Sequence, residues 1–545
     1  MNLFDAIFQH GRQSPAVICD GFESTYEDLC HHTLRMATFI AHAGIGTGDR
    51  VALLLYDSLE FIEAFIAICS MGAIAVPINT ALSLSDQRTI INNCGARLIL
   101  GERDLLDPLL TDAPVGLHFP EDMIVITRSS SSSSEESSGY YSDEFIGDHF
   151  TATDMVQTRF RSSDARMQDY VKRAETNTST NFVDNEEATA FILYTSGSTG
   201  EPKGAMHSQA DIFYTNATFC REVLQLTPND RLFSSSRLPF AYGLGNSFSF
   251  PLLNGATSIL CREKPTAEII SRILKKARPT IFFAVPVVYN LLLEYHQEKQ
   301  PLDCSSLRMC VSAGEALPAH LGERWQQTFG VPLLDGIGST EMLHMFMSNK
   351  LNDVCYGSSG KVLSGYEARL LDEHGEPSAK GAEGNLWIKG SSAASGYWER
   401  PEETARTFVD GWVRTGDLYR CDDSGHWFHM GRSDDCFKSS GQWVSPVEVE
   451  GVLLRHENVA RAAVVEDFDE RSLPCACAFV VSRSAQSESA LLEAELRELA
   501  TSALPKFKQP RKYIFVEELP YTATGKIQRF KLRQQLRNKE QSAKR

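Results

Sequence analysis

The sequence has no CxxC pair, no excess of basic charge and no apolar run long enough to cross a bilayer. Its thirteen cysteines are dispersed and only Cys475 and Cys477 come close, which argues against a disulfide framework or a zinc site and for reduced, buried thiols. With 53 Lys and Arg against 70 Asp and Glu, the formal charge of −17 excludes a general nucleic-acid binder, and an anionic substrate has to be captured by local positive charge. The most apolar window, 61–78, carries Glu63 and is stopped by Pro77, so no membrane span or membrane partner is expected. The first residues lack a basic start followed by an apolar core, and the last match no retention or lipidation signal; a cytoplasmic protein is expected. A G-x-S-x-G elbow, an H-E-x-x-H helix and a GxGxxG loop are also missing, so the sequence motifs of serine hydrolases, zinc proteases and dinucleotide-binding domains do not compete for the reading.

What is present is a chain of 545 residues, longer than one core usually supports, in which helical and strand-like runs alternate. Helical spacing over 26–43, a buried-strand pattern over 51–56 and an amphipathic pattern over 59–71 predict a mostly parallel α/β sheet. The alternation continues as strand 280–284, helix 286–296, strand 307–312 and helix 318–329. From 357 onward short strands and turns predict a small β-subdomain, and the last hundred or so residues read as an α+β unit. At about 129–138 eight serines and two glutamates form a tract too polar to order as a core, predicted to be a disordered surface insertion, with a phosphorylation cluster as the alternative.

The most informative stretch runs from Ile192 to Gly204. An apolar strand-like run leads into Thr195, Ser196, Gly197, Ser198, Thr199 and Gly200, then Lys203. Glycines let backbone N–H groups approach an anion, hydroxyls add neutral donors, and the lysine adds a mobile charge: the ingredients of a phosphate cradle. The lysine lies between Pro202 and Gly204, which is not the spacing of the P-loop.

This loop resembles the phosphate-binding signature of the adenylate-forming superfamily, which includes acyl-CoA synthetases, amino-acid adenylation domains and firefly-type luciferases. Further segments carry the resemblance in order along the chain to 529. The resemblance implies an α/β fold: a large N-terminal adenylate-forming domain over 1–433, built of layered α/β sheets plus the small β-subdomain, and a small mobile α+β C-terminal domain over 434–545. It assigns Gly314, Glu315 and Ala316 to the adenine face, Asp335 to the adenine amino edge, Thr340 to phosphate and Glu341 to Mg²⁺. Asp417 falls to the ribose hydroxyls with Arg432 nearby, Asp434 is the hinge, Lys438 and Gly441 border the pantetheine path, and Lys526 swings in to contact the carboxylate and α-phosphate.

Tyr242 matches the position of the aromatic or histidine gate beside the acyl carboxylate, and Ala241 stands where amino-acid adenylation domains carry an aspartate, so an α-amino acid would lack its charge partner. Ile337 replaces a tyrosine that stacks on adenine in many relatives. Together with Gly243, Gly338 and His344 these residues suggest a flat apolar slot, and the run Met342 to Phe346 looks like that of benzoate-CoA ligases; for His344 itself, an acyl-pocket hydrogen bond and a structural histidine are equally open. The resemblance thus implies an ATP-, Mg²⁺- and coenzyme A-dependent ligase for benzoate or a small substituted benzoate such as 2-aminobenzoate, a monomer or homodimer acting through an acyl-AMP. Loading of a carrier-protein pantetheine, a medium-chain fatty acyl-CoA synthetase, a luciferase-like oxidase and a non-enzymatic binding protein are the alternatives.

Overall fold

The computed structural model describes residues 2–111, 122–126, 156–158, 187–196, 202–439, 442–469, 473–483, 489–521 and 527–543. The serine tract, Gly197 to Gly200, Gly441 and Lys526 lie outside the described residues.

Two large sheets share a layer of helix. A seven-stranded sheet carries, in order, Val156–Thr158, Asp122–Ile126, Leu98–Glu102, Arg50–Leu54, Ile74–Pro77, Thr189–Ser196 and Pro202–Ser208. A nine-stranded sheet runs from Lys361–Val362 through Met345–Ser348, Leu333–Gly338, Met309–Ser312, Ile281–Ala284, Arg231–Ser234, Thr257–Leu260 and Pro15–Cys19 to Phe22–Thr25. Their central strands are parallel, as alternating strands and helices require.

The helix Leu59–Ser70 shares one core with Val17 and Leu260 of one sheet and Val51, Leu53 and Phe191 of the other. Its surroundings correct the expectation of an amphipathic helix, because every residue from Glu60 to Ser70 is buried. The mean apolarity of the stretch carried more information than its periodicity, since a helix covered on all sides needs no polar face. Glu63 is tolerated there because His32 Nδ1 lies 3.1 Å from its Oε1; burial raises the carboxyl pKa while the bond to Glu63 raises that of the imidazole.

The outer face of the nine-stranded sheet is covered by the helices Ala267–Lys276, Pro286–Glu298 and Ala319–Phe329, of which the last two lie close to their predicted bounds and the first was not predicted. A five-stranded antiparallel sheet packs near its other end; Glu383–Lys389 and Trp412–Cys421 form its centre, and Leu386, Ile388 and Val413 join Phe283, Val311 and Leu334 in one core. The C-terminal part is a three-stranded sheet of Val459–Phe468, Pro474–Ser482 and Lys512–Phe515, packed by Pro446–Leu453, Ser489–Ala503 and Arg529–Ala543. A large N-terminal α/β body and a small C-terminal α+β unit are therefore both present, as the fold class required.

Among the described residues no disulfide forms, and no helix is long and apolar enough to cross a membrane.

Candidate active site

The glycine-rich stretch is flanked by two strands that pair as a β-hairpin. Thr189–Ser196 and Pro202–Ser208 pair antiparallel, with Thr195 opposite Lys203 and Ser196 opposite Pro202. The second strand went unseen in the sequence because Pro-Lys-Gly reads as a turn. Proline is accommodated as the first residue of a strand at the sheet's edge, where its missing N–H removes no ladder bond. Gly204 is required by packing, since a Cβ there would meet Ile192 Cγ2 at 2.6 Å.

A strap formed by Ala394 to Trp398 is laid along this hairpin. Met206 N–H donates to Gly396 O at 3.0 Å, Ser395 N–H to Met206 O at 3.0 Å and Trp398 N–H to Gly204 O at 2.8 Å. Ala394 N–H in turn donates to Glu341 O at 2.8 Å. The result is that Tyr397 reaches two expected site residues at once: its hydroxyl donates to Glu341 Oε1 at 2.7 Å, and its ring centroid is 5.7 Å from the Lys203 ammonium. Burial, and then the charge of Glu341, raises the phenol's pKa and keeps it a hydrogen-bond donor. Sequence reasoning missed Tyr397; the Ser395-Gly396-Tyr397-Trp398 run was its only signal, and that run looks like a turn.

Thr340 and Glu341 start a short 3₁₀ turn directly after the strand Leu333–Gly338. Thr340 O accepts from His207 Nε2 at 2.7 Å, and His207 Nδ1 lies 2.8 Å from Asp211 Oδ2. Leu343 then takes φ of 63°, an uncommon conformation for a non-glycine residue, which turns the chain sharply between Glu341 and His344.

Asp335 lies inside the strand Leu333–Gly338, not in the loop after it, and so do Ile337 and Gly338. It is the last parallel partner of Ser312, at the carboxyl ends of adjacent strands, where open α/β sheets bind ligands. Leu317 N–H donates to its Oδ2 at 3.4 Å, fastening the turn Gly314-Glu315-Ala316, whose Gly314 has φ of +91°. Asp335 Oδ1 is buried and has no partner among the described residues, and burial pushes the carboxyl pKa well up. A buried acceptor without a donor is costly unless a ligand supplies one, so the edge fits an amino group such as that of adenine.

Asp417 and Arg432 are cross-strand neighbours in the five-stranded sheet, with Nη1 and Oδ1 3.3 Å apart, and His429 Nε2 lies 3.5 Å from the same oxygen. Asp434 is exposed in the turn that follows, and the next residue, Asp435, is ion-paired with Arg533 at 2.9 Å and Arg529 at 3.6 Å. Arg529 also pairs with buried Glu450 at 2.8 Å, so the residue three positions after Lys526 is anchored beside the expected hinge. Lys438 is engaged by Glu373 at the edge of the small β-sheet.

The expected acyl-pocket residues come together around His344. It is 3% exposed, packed between Phe219, Phe250 and Tyr242, with Nε2 3.2 Å from Asn246 Oδ1. Burial drives its pKa down to about 3, so the ring is neutral. Its Nδ1 and the Asn246 Nδ2 have no partners among the described residues. Tyr242 donates through its hydroxyl to Val311 O at 3.0 Å and, with Ile337, packs against one core; Ala241 is buried beside it. The glycines allow close backbone approach: a Cβ on Gly243 would meet Arg237 O at 2.0 Å, and one on Gly338 would meet His344 O at 2.5 Å.

A lysine and a half-engaged carboxylate sharing one tyrosine suit a polyphosphate with its cation, and the open edge of Asp335 suits a ring amino group. Those are the parts of an enzyme that handles a nucleotide. The chain belongs to the AMP-binding enzyme family, whose model matches residues 4–398, while the model of the AMP-binding enzyme C-terminal domain matches residues 448–526. It is 38% identical over 534 residues to the benzoate–CoA ligase of Thauera aromatica, covering 96% of this chain and 93% of that one. Among solved structures, the anthranilate CoA ligase AuaEII in complex with anthranoyl-AMP has a TM-score of 0.85 at 33% identity, over 98% of this chain and 97% of that one. A benzoate CoA ligase from Burkholderia xenovorans LB400 has a TM-score of 0.82 at 34% identity, over 98% of this chain and all of the other.

Proposed function

We propose that this protein joins a small aromatic carboxylic acid, benzoate or a substituted benzoate such as 2-aminobenzoate, to coenzyme A through an acyl-AMP, releasing AMP and pyrophosphate. The observation that carries the reading is similarity to a benzoate–CoA ligase along nearly the whole of both chains. The pocket chemistry agrees with it: Tyr242, Ile337 and a neutral His344 offer aromatic and apolar walls, and Ala241 offers no countercharge.

A carboxylate is a poor acyl donor, and AMP makes a good leaving group. The difficulty is electrostatic, because a carboxylate must approach a polyphosphate; each pair of like charges at about 4 Å costs roughly 4 kcal/mol at an effective dielectric of 20. Lys203 and Lys526 offset that repulsion, and the residues Thr195 to Gly200 hold the phosphates. Glu341 is the residue that would hold Mg²⁺, a reading supported by its carboxylate: one oxygen is taken by Tyr397, and the other has no partner among the described residues. A hard oxygen donor fits that ion, which when bound neutralises phosphate charge. Asp335 orients adenine, Asp417 and Arg432 border the ribose, and rotation about Asp434 exchanges Lys526 for the segment of sequence containing Lys438 and Gly441.

Isotope exchange tests the reading. Benzoate-dependent exchange of labelled pyrophosphate into ATP is expected without coenzyme A, with benzoyl-CoA formed on its addition. Exchange that needs coenzyme A from the start, or is indifferent to the acid, overturns the two-step route.

A further inference from the structure

We propose that Tyr397 is a positioning residue that sets the free oxygen of Glu341 toward the cation and holds Lys203 off that carboxylate. This rests on the assignment of Mg²⁺ to Glu341 made above. Three observations carry it. The phenol engages only Oε1 of Glu341, at 2.7 Å, so the carboxylate is fixed in rotation with its second oxygen left available. The aromatic face of the same residue lies 5.7 Å from the Lys203 ammonium, inside the range of cation–π attraction, and among the described residues Lys203 and Glu341 form no ion pair with each other. A direct pair would neutralise the two charges the reaction needs.

The third observation is that Tyr397 cannot drift. It is 7% exposed, bridges Ala205 in antiparallel fashion, and donates its N–H to Thr404 Oγ1 at 2.9 Å. Its strap is bonded on one side to the hairpin carrying Lys203 and on the other to the Glu341 carbonyl. One side chain therefore keeps the cation ligand and the phosphate-binding lysine in register, although the two are far apart in sequence. A residue that only filled space would need neither the hydroxyl nor its 2.7 Å bond to the carboxylate.

The experiment is Mn²⁺ titration of the full-length enzyme with a non-hydrolysable ATP analogue, read by the electron paramagnetic resonance signal of free Mn²⁺. Tyr397→Phe keeps the ring and removes the hydroxyl. It is expected to weaken Mn²⁺ binding on the order of tenfold, the effect of losing an outer hydrogen bond to a metal ligand. Its affinity for the analogue without divalent ion, and its thioester formation from supplied benzoyl-AMP, should match the parent. Tyr397→Leu should also change metal-free analogue affinity, because Lys203 loses its ring. If Glu341→Gln weakens Mn²⁺ binding and Tyr397→Phe does not, the role of Tyr397 falls and the cation assignment stands. If Glu341→Gln has no effect either, the assignment falls and takes this proposal with it.

Discussion

His207 Nε2 donates to the carbonyl oxygen of Thr340 at 2.7 Å, a bond that spans 133 residues of sequence and ties the hairpin strand to the segment bearing Glu341. His207 is 1% exposed and stacked on Phe191, so its ring is held in place on the core side of the bond. His207→Ala removes the donor to the Thr340 carbonyl and one partner of Asp211, which keeps its bonds from Ser208, at a cost of about 1–3 kcal/mol in stability. Adenylation is expected to fall on the order of 10²-fold through misplacement of Thr340 and Glu341, and the half-reaction rate with a denaturation curve checks both. Normal adenylation in a destabilised variant would confine His207 to a structural role.

The role proposed for Lys526 is to act where negative charge accumulates, so Lys526→Ala should slow acyl-AMP formation by roughly 10²- to 10³-fold. Thioester formation from supplied acyl-AMP should survive. Equal loss of both half-reactions contradicts the role.

The proposed rotation of the C-terminal unit predicts a different separation. Asp434 is exposed in its turn, and a proline there fixes φ. Asp434→Pro is expected to trap one arrangement, so that one half-reaction persists while the other fails. Both steps at the parental rate would move the hinge elsewhere.

The neutral, buried His344 makes a prediction about pH. Its folded pKa of about 3 lies below the usual 6.5, so the unfolded chain binds the additional proton. The contribution to stability is full above pH 6.5 and is lost as pH falls toward 3, by about 2 kcal/mol between pH 7.5 and 5. Urea denaturation at those two pH values should show a smaller acid loss for His344→Gln than for the parent. Identical slopes would mean that the ring titrates normally.

The elements legible in the sequence were those whose ends are locally encoded. The helix Tyr26–His42 begins where expected because Thr25 and Asp28 form a capping box, and the βα alternation from Ile281 to Phe329 follows strongly periodic runs. The sequence over 208–226 predicts one helix, whereas the backbone changes from α over Gln209–Thr215 to π over Asn216–Leu224, a change of hydrogen-bond register that side-chain spacing does not encode. Candidate site residues could be named from the sequence where chemistry is concentrated in one segment, as around Lys203 and Asp335 to Glu341. Tyr397 and His207 were not, because each acts through a contact with a segment far away in sequence.

The central claim is that the pocket selects an aromatic acid. Burial of a benzene ring against Tyr242, Ile337 and neutral His344 yields a few kcal/mol from apolar area, whereas the ammonium of phenylalanine would lie beside Ala241 with no countercharge, at a cost of several kcal/mol. The aniline nitrogen of 2-aminobenzoate is neutral near pH 7 and bonds to its own carboxylate, so it escapes that cost. The most direct measurement is kcat/KM for coenzyme A thioester formation with benzoate, 2-aminobenzoate, octanoate, acetate and phenylalanine. The prediction is high values for the two aromatic acids, weak activity with acetate and none with phenylalanine; octanoate exceeding every aromatic acid by tenfold, about 1.4 kcal/mol in transition-state binding, would contradict it.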